Sequence, residues 1–297
     1  MTDLDLQTAR VSAQLGARPS DRDLDLFGLT HRGKVRRDNQ DSFLLATVHP
    51  QVVVHGTNLP DPEALRVRGE RLATILLVAD GVGGSVSGSE ASRLATETVT
   101  RYVSSALRCC HAADPMAERA FLAKLREAAL DAHAAVLADA AAQPSRKGMA
   151  TTLTLALAIW PWAYVVQVGD SRCYLHLEGR LSRITRDQTI AQDLVDRGVL
   201  AAEEAAASPL GSVLASAIGG GEATPEVSVL DIERRGSLLL LCSDGLTKHV
   251  SDAEIAEQAG AMRSSEQLCR SLLDLALERG GTDNITILAG RSLPGAR

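Results

Sequence analysis

Three strongly apolar segments of this chain each end in an aspartate. They are residues 75–79, followed by Asp80; 164–169, followed by Asp170; and 238–243, followed by Asp244. A carboxylate at the tip of a buried strand is costly unless something compensates its charge. Three such tips predict strands whose ends meet and share a cation site.

Composition limits what the chain can be. Its 297 residues suffice for one large domain or two small ones, and the formal charge of −6 disfavours non-specific binding to nucleic acid or an anionic membrane. No apolar run reaches membrane-spanning length, and the polar N-terminus carries no signal-peptide core, so we expect a cytoplasmic protein. Five scattered cysteines without a CxxC pair predict neither disulfides nor a zinc site.

Hydrophobic periodicity predicts an α+β fold, because strands occur in runs and helices in runs. We expect a disordered tail over 1–22, an inserted loop or long hairpin tip over 49–71, helix fragments over 187–223 and a short C-terminal tail over 293–297. Predicted strands are 24–29, 42–48, 73–79, a strand–turn–strand–turn–strand meander over 151–177, 226–232, 237–242 and 285–289. Predicted helices are 91–106, 116–140 and 264–279.

The glycine-rich stretch after Asp80 allows three interpretations. As a phosphate-binding P-loop it fails, because Ser89 and Glu90 stand where Lys and a hydroxyl residue are required. As a dinucleotide fingerprint it also fails, because Val86 replaces the third glycine. A tight turn without a ligand leaves the buried acid unexplained. Asp80 is better interpreted as a metal ligand, with Gly81 letting the backbone approach the ion.

Five acids stand out by context: Asp41, Asp80, Asp170, Asp244 and Asp283. Any one of them alone is more simply a turn former or helix cap. If they converge, two carboxylates about 4 Å apart repel by roughly 4 kcal/mol at an effective dielectric of 20. Divalent cations would neutralise them, and all-oxygen ligation favours Mg²⁺ or Mn²⁺ in a two-ion site that activates water.

Six motifs in order carry a family resemblance. They are GKVRRDNQD (33–41), VADGVGG (78–84), GMATTLTLAL (148–157), VGDSR (168–172), LCSDGL (241–246) and GGTDNITI (280–287). Over residues 24–292 the chain resembles the metal-dependent PPM, or PP2C, family of serine/threonine phosphatases in its bacterial form. The resemblance implies one phosphatase domain over 23–292, folded as a four-layer α-β-β-α sandwich with two central antiparallel sheets, and makes 187–223 the family's flap.

The resemblance also implies roles for particular residues. Asp80 would bridge two Mn²⁺ or Mg²⁺ ions and position the nucleophilic water, and Gly81 would offer its carbonyl. Asp244 and Asp283 would hold the first ion and Asp41 the second, while Asp170 would contribute to a third, weaker metal position. Arg36 would bind the substrate phosphate with its guanidinium fork, a geometry that Lys cannot reproduce.

The implied activity is hydrolysis of phosphoserine and phosphothreonine on proteins, without a covalent intermediate, by a monomer that opposes a bacterial Ser/Thr kinase. Two alternatives remain open: a non-catalytic relative that binds phosphoproteins, and a metal-dependent hydrolase of small phosphate esters. Val82 stands where many eukaryotic members carry a proposed general-acid His, and Gln40 replaces a commoner Glu. In the flap, Gln188 and Ser208 stand where relatives usually carry His, and Gly211 and Ser216 where Arg is usual.

Overall fold

The computed structural model describes residues 18–51, 68–83, 85–106 and 115–293. Its strands are β1 (Leu24–His31), β2 (Ser42–Val48), β3 (Ala73–Ala79), β4 (Gly81–Val82), β5 (Ala150–Thr151), β6 (Leu153–Ile159), β7 (Trp162–Val168), β8 (Arg172–Leu177), β9 (Arg180–Arg183), β10 (Glu226–Asp231), β11 (Leu238–Cys242) and β12 (Ile285–Ser292). Its α-helices are α1 (Ser85–Ala106), α2 (Pro115–Ala142), α3 (Ile190–Asp196), α4 (Ala202–Ala207), α5 (Asp244–Thr247), α6 (Asp252–Ala261) and α7 (Ser265–Glu278).

Ten of these strands form two five-stranded antiparallel sheets. Sheet A has the order β1-β12-β11-β8-β9, and sheet B has the order β10-β7-β6-β3-β2. The small pair β4-β5 lies apart from both sheets. The predicted α+β class with antiparallel sheets is confirmed.

The alternating direction of side chains along buried strands explains the layers of helices and sheets. In β3, Ile75 and Leu77 pack into a cluster with α1 and α2, whereas Leu76 and Val78 pack into a cluster with residues of sheet A. Successive side chains of a strand point to opposite faces, so a strand that is apolar throughout must be covered on both sides. β3 therefore requires a helix layer on one face and the other sheet on its opposite face.

Amphipathic helices complete the sandwich. The core of sheet B continues into α1 and α2, where the rings of Phe121 and Tyr164 meet edge to face at 4.9 Å. On the outside of sheet A, α7 buries Leu268, Leu272 and Ala276 against β12 and its neighbours. Each fully buried leucine contributes about 1.5–3 kcal/mol by leaving water. The predicted four-layer α-β-β-α sandwich is confirmed.

The predicted meander over 151–177 is wrong in one respect. β6 and β7 pair in sheet B, but β8 belongs to sheet A, so the turn through Asp170 crosses between the sheets. Gly169 makes this crossing possible, because its φ is +101° and an added Cβ would lie 2.7 Å from Thr152 Cγ2. Periodicity identifies buried strands but carries no information about which sheet each one joins.

Other differences lie where the apolar pattern is short or weak. The sequence analysis did not predict α6, β9 or the single helical turn α5. β1 and β12 pair over their full length, from Leu24 opposite Ser292 to His31 opposite Ile285, and extend beyond their predicted ends. The extra residues include polar ones such as Thr30 and Ser292, which are ordered by strand pairing rather than by apolar patterning.

The start of the described chain is packed against the fold. Arg71 donates to Asp21 Oδ1 at 2.8 Å and to the carbonyl of Pro19 at 2.7 Å, and Arg18 donates to the carbonyl of Leu72 at 3.1 Å. The predicted disordered tail therefore does not include residues 18–22. Residues 1–17, 52–67 of the predicted insertion and 294–297 of the C-terminal tail lie outside the described residues.

Two further sequence expectations bear on the fold. Cys173, Cys242 and Cys269 are buried free thiols, and Cys109 and Cys110 lie outside the described residues. Among the helices of the described ranges, none is both long and apolar enough to span a membrane.

Candidate active site

Strand ends bring the predicted acids to one edge of the sandwich. Asp41 immediately precedes β2 and Asp80 immediately follows β3, and the register that pairs Ser42 with Ala79 places these acids side by side at the end of sheet B. In sheet A, Asp283 lies just before β12 and Asp244 lies just after β11. These two strands pair with each other, and Cys242 lies opposite Ile287 near their ends. Register alone therefore gathers two acids from each sheet.

Asp41 is held by hydroxyl groups from the opposite sheet. Its Oδ2 accepts hydrogen bonds from Ser243 Oγ at 2.8 Å and from Thr286 Oγ1 at 2.6 Å, while its Oδ1 is buried and has no protein partner. Burial raises the pKa of Asp41 to about 6, and the two hydroxyl donors oppose that rise. Ser243 and Thr286 thus link the two sheets directly beneath the site.

Asp80 is fixed through its backbone. Its N–H donates to Thr152 Oγ1 at 2.9 Å, and its carbonyl accepts from the N–H of Thr152 at 2.9 Å and from Thr151 Oγ1 at 2.8 Å. Burial raises the pKa of Asp80 well above its ordinary value, and the charges of Asp41 and Asp244 raise it further. A cation bound beside Asp80 would oppose that rise, because a nearby positive charge favours the ionised carboxylate.

Gly81 has no room for a side chain. A Cβ at this position would lie 2.2 Å from the carbonyl oxygen of Gly88 and 2.6 Å from that of Gln40. Only glycine therefore lets the chain leave Asp80 at this angle, with α1 beginning a few residues later. Gly81 also begins the short strand β4, which pairs with β5, so the chain does not form the simple tight turn that was considered as one interpretation of this stretch.

Asp283 and Asp244 are partnered by cationic side chains. Arg36 Nε lies 2.7 Å from Asp283 Oδ1 and its Nη2 lies 2.9 Å from Oδ2, while Lys248 Nζ lies 2.7 Å from Asp283 Oδ2 and 2.6 Å from Asp244 Oδ2. Burial tends to raise the pKa of Asp283, but the hydrogen bonds from Arg36 and Lys248 outweigh it and lower that pKa. Asp244 Oδ1 is buried without a protein partner.

Asp170 lies on the flap side of the same edge. It is 8% exposed, and burial, followed by the charges of Asp244 and Asp187, raises its pKa to about 8. Gln188 fastens the flap to this turn, because its Oε1 accepts from the N–H of Gly169 at 2.9 Å and its Nε2 donates to the carbonyl of Thr224 at 3.0 Å. The flap residue predicted as a departure from the family therefore has a structural role.

The other flap residues that differ from the family pattern also make contacts within or next to the flap. Ser208 Oγ accepts from the N–H of Leu210 at 3.2 Å and begins a short 3₁₀ turn, and the buried Ser216 accepts from the N–H of Thr224 at 2.9 Å. Ser208 and Gly211 both line a cleft of about 490 Å³ between the flap and the acids. Asp170 and Asp244 lie on the other wall of that cleft.

The loop that carries Arg36 is held by a residue the sequence analysis did not single out. Asn284 is 4% exposed; its Nδ2 donates to the carbonyls of Arg32 at 3.0 Å and Asp38 at 2.9 Å, and its Oδ1 accepts from the N–H of Gln40 at 2.9 Å. Its position in the motif GGTDNITI (280–287), directly after Asp283, was the available signal. Thr152, Ser243, Thr286 and Lys248 were missed in the same way, although the first three lie within the quoted motifs.

The donor set fits divalent cations bound by oxygen. Five carboxyl groups interact electrostatically here, Arg36 and Lys248 contact two of them, and two buried carboxylate oxygens have no hydrogen-bond partner among the described residues. Across the described ranges, however, no three His, Cys, Asp or Glu side chains lie closely enough together to hold an ion. Lys248 and Arg36 occupy oxygens of Asp244 and Asp283 that a divalent cation would use.

Comparison with known proteins identifies the family of this chain. The family model described as Protein phosphatase 2C matches residues 56–278. The chain belongs to the protein phosphatase 2C family. Its sequence is 38% identical over 216 residues to the serine/threonine protein phosphatase PstP of Mycobacterium tuberculosis, covering 73% of this chain and 40% of PstP. This member of the protein phosphatase 2C family thus spans about 40% of the length of that curated relative.

A further relative and a solved structure of the PstP catalytic domain are each matched over most of their length. The serine/threonine phosphatase stp of Listeria innocua is 31% identical over 215 residues, which is 72% of this chain and 82% of stp. The crystal structure of the catalytic domain of PstP in complex with two manganese ions superposes with a TM-score of 0.69 at 31% identity, covering 91% of this chain and 99% of that domain. The protein phosphatase 2C fold is therefore shared over nearly the whole described chain.

Proposed function

We propose that this chain is a metal-dependent serine/threonine protein phosphatase. The observation that carries the proposal is that Asp41, Asp80, Asp170, Asp244 and Asp283 interact electrostatically at one edge of the sandwich, where Arg36 and Lys248 contact two of these five carboxyl groups. The names of the relatives, one of them solved with two manganese ions, support the same assignment.

Specific residues would hold the metal. Asp80 would bridge two Mn²⁺ or Mg²⁺ ions, Gly81 would offer its carbonyl oxygen, Asp244 and Asp283 would serve the first ion, and Asp41 the second. The partnerless Oδ1 atoms of Asp41 and Asp244 support this assignment, because a buried carboxylate oxygen is costly without a partner. When bound, the ions would supply the Lewis acidity that makes water a nucleophile at neutral pH.

The chain's own residues provide positioning and charge. Arg36 is half exposed and reaches the site from a loop, so it can turn its guanidinium fork from Asp283 to the substrate phosphate. Water would attack phosphorus in line while the P–O bond to the serine or threonine breaks. The departing oxygen must take a proton, and Val82 cannot provide it.

The source of that proton is proposed to lie near Asp170. This aspartate lies on the same edge as the other acids and lines the cleft that borders Asp244. It would contribute to a third, more weakly held ion, because it has fewer neighbouring acids than Asp80. The predicted substrates, kinase partner, monomeric state and cytoplasmic location stay predictions, as does the assignment of 23–292 as one phosphatase domain.

A substrate panel tests the proposal. A phosphothreonine peptide should be dephosphorylated with Mn²⁺ or Mg²⁺ and not with EDTA, and Asp80→Asn should abolish the metal-dependent part. Turnover of phosphometabolites but not of the peptide would favour the small-ester hydrolase. Metal-dependent binding of the peptide without release of phosphate would favour the non-catalytic relative.

A further inference from the structure

Lys248 places a positive charge directly between two of the proposed metal ligands. Its Nζ lies 2.6 Å from Asp244 Oδ2 and 2.7 Å from Asp283 Oδ2. The helical turn α5 causes this contact, since the N–H of Lys248 donates to the carbonyl of Asp244 at 2.9 Å and residues four apart lie on one face. The ammonium group is thus tethered at the ligands by the backbone.

The contact leaves few carboxylate oxygens of Asp244 and Asp283 available to another cation. Arg36 and Lys248 together engage both oxygens of Asp283, and Lys248 engages Oδ2 of Asp244, so of these four oxygens only Asp244 Oδ1 has no hydrogen-bond partner among the described residues. A divalent ion that uses both residues must displace the ammonium from at least one of them. Two cations at such short range also repel each other.

The cleft under the flap can accommodate the side chain of Lys248 when it is displaced. Its side chain is 35% exposed and lines the cleft under the flap together with Thr247, Ser212 and Asp170. Rotation about its flexible stem would move the ammonium into that cleft without moving the backbone. The contact is therefore reversible, unlike a fully buried ion pair.

We propose that Lys248 is a tethered counter-cation that competes with the divalent ion for Asp244 and Asp283. This inference rests on the proposed metal centre and adds a property to it. In the metal-free protein the ammonium, together with the guanidinium of Arg36, balances the charge of the two carboxylates and stabilises the folded chain. In the loaded protein it has been displaced, so the first ion binds more weakly than its ligands alone would allow, and activity follows the metal concentration.

Removing the charge tests the competition directly. In Lys248→Met, which retains the length of the side chain, calorimetric titration of chelator-stripped protein with Mn²⁺ should show at least a tenfold lower Kd than the wild type. The melting temperature in EDTA should fall, because Asp244 and Asp283 lose their partner. Lys248→Arg keeps the charge and should not tighten binding. The control Lys124→Met, on α2, should change neither quantity.

The outcomes separate this inference from the proposed function. If the wild-type protein binds Mn²⁺ and Lys248→Met binds it equally or more weakly, the proposed competition is refuted and the proposed metal centre is not. Failure of both proteins to bind Mn²⁺ overturns both. If Lys248→Met does not fold in EDTA, Lys248→Gln, which keeps hydrogen-bond donors without charge, is titrated instead with the same expected result.

Discussion

Arg36 and Asp283 form a two-point ion pair across 247 residues of sequence, with Nε and Nη2 each donating to a different carboxylate oxygen. The pair joins the residue proposed to bind substrate phosphate to a residue proposed to bind metal. Two oxygens of a phosphate can accept the same pair of parallel hydrogen bonds from a guanidinium group as the two oxygens of a carboxylate. If Arg36 binds the substrate phosphate as proposed, its guanidinium must exchange Asp283 for that phosphate.

Replacing Arg36 should therefore affect substrate binding first. Arg36→Ala should raise KM for a phosphopeptide more than it lowers kcat, because the guanidinium would hold the phosphate in both the ground and the transition state. Arg36→Lys should restore only part of the loss, since the fork is missing. Steady-state kinetics measure both constants, and an unchanged KM would mean that the phosphate is held elsewhere.

Neutralising a central ligand should affect turnover. Asp80→Asn and Asp244→Asn should each lower kcat at least a hundredfold, which is about 2.7 kcal/mol in the barrier. Each removes a charge from the site that must activate water. Asp274→Asn, on the exposed face of α7, is the matched control and should leave kcat unchanged. Near-native turnover of either ligand variant at saturating Mn²⁺ would refute the metal assignment.

Replacing Asp170 should slow the turnover mainly of substrates with poor leaving groups. Asp170→Ala should keep the two tightly bound ions yet lose more activity on a phosphopeptide than on para-nitrophenyl phosphate, because para-nitrophenolate leaves without needing a proton and a serine or threonine alkoxide does not. Kinetics on both substrates and calorimetry with Mn²⁺ provide the comparison. Equal losses would remove the proton-donor role, and a single remaining ion would place Asp170 in the central pair.

The acid cluster should make the metal-free protein less stable as the pH rises. Folding raises the pKa of Asp41 to about 6 and that of Asp170 to about 8, so between about pH 4 and 8 the folded chain holds protons that the unfolded chain has lost. The free energy of unfolding in EDTA should fall across this window.

Metal should offset that loss. The difference in melting temperature between Mn²⁺-loaded and EDTA-treated protein should widen from pH 5 to pH 8, as measured by thermal unfolding at a fixed free Mn²⁺ concentration. Asp80→Asn should reduce this difference in melting temperature at every pH. A gap that stays constant with pH would show that metal binding displaces no protons from these carboxyl groups.

Asn284→Ala should loosen the loop that carries Arg36. The substitution removes three partly buried hydrogen bonds, to the N–H of Gln40 and to the carbonyls of Arg32 and Asp38, and each such bond contributes about 0.5–1.5 kcal/mol. Chemical denaturation should show a loss of at least about 2 kcal/mol, together with a raised KM. A stable variant with normal KM would mean that other contacts hold the loop.

The sequence alone identified the elements that have a strong apolar pattern. β2 and β3 were predicted to the residue, and α7 to within one residue at each end, because buried strands and amphipathic helices must repeat their apolar positions in the chain. The apolar runs drew attention to acids at the ends of buried strands, since such a carboxylate requires a compensating positive charge, whereas only the family resemblance drew attention to Arg36.

Tertiary structure decided which groups meet. Strand register placed Ser243 and Thr286 beneath Asp41, a crossing between sheets brought Asp170 to the acid edge, and one helical turn directed Lys248 onto Asp244 and Asp283. None of these contacts leaves a periodic signal, because each depends on the relative position of segments far apart in the chain or on the direction of a single side chain. The sequence therefore determined which chemical groups are available, and packing of the two sheets determined their partners.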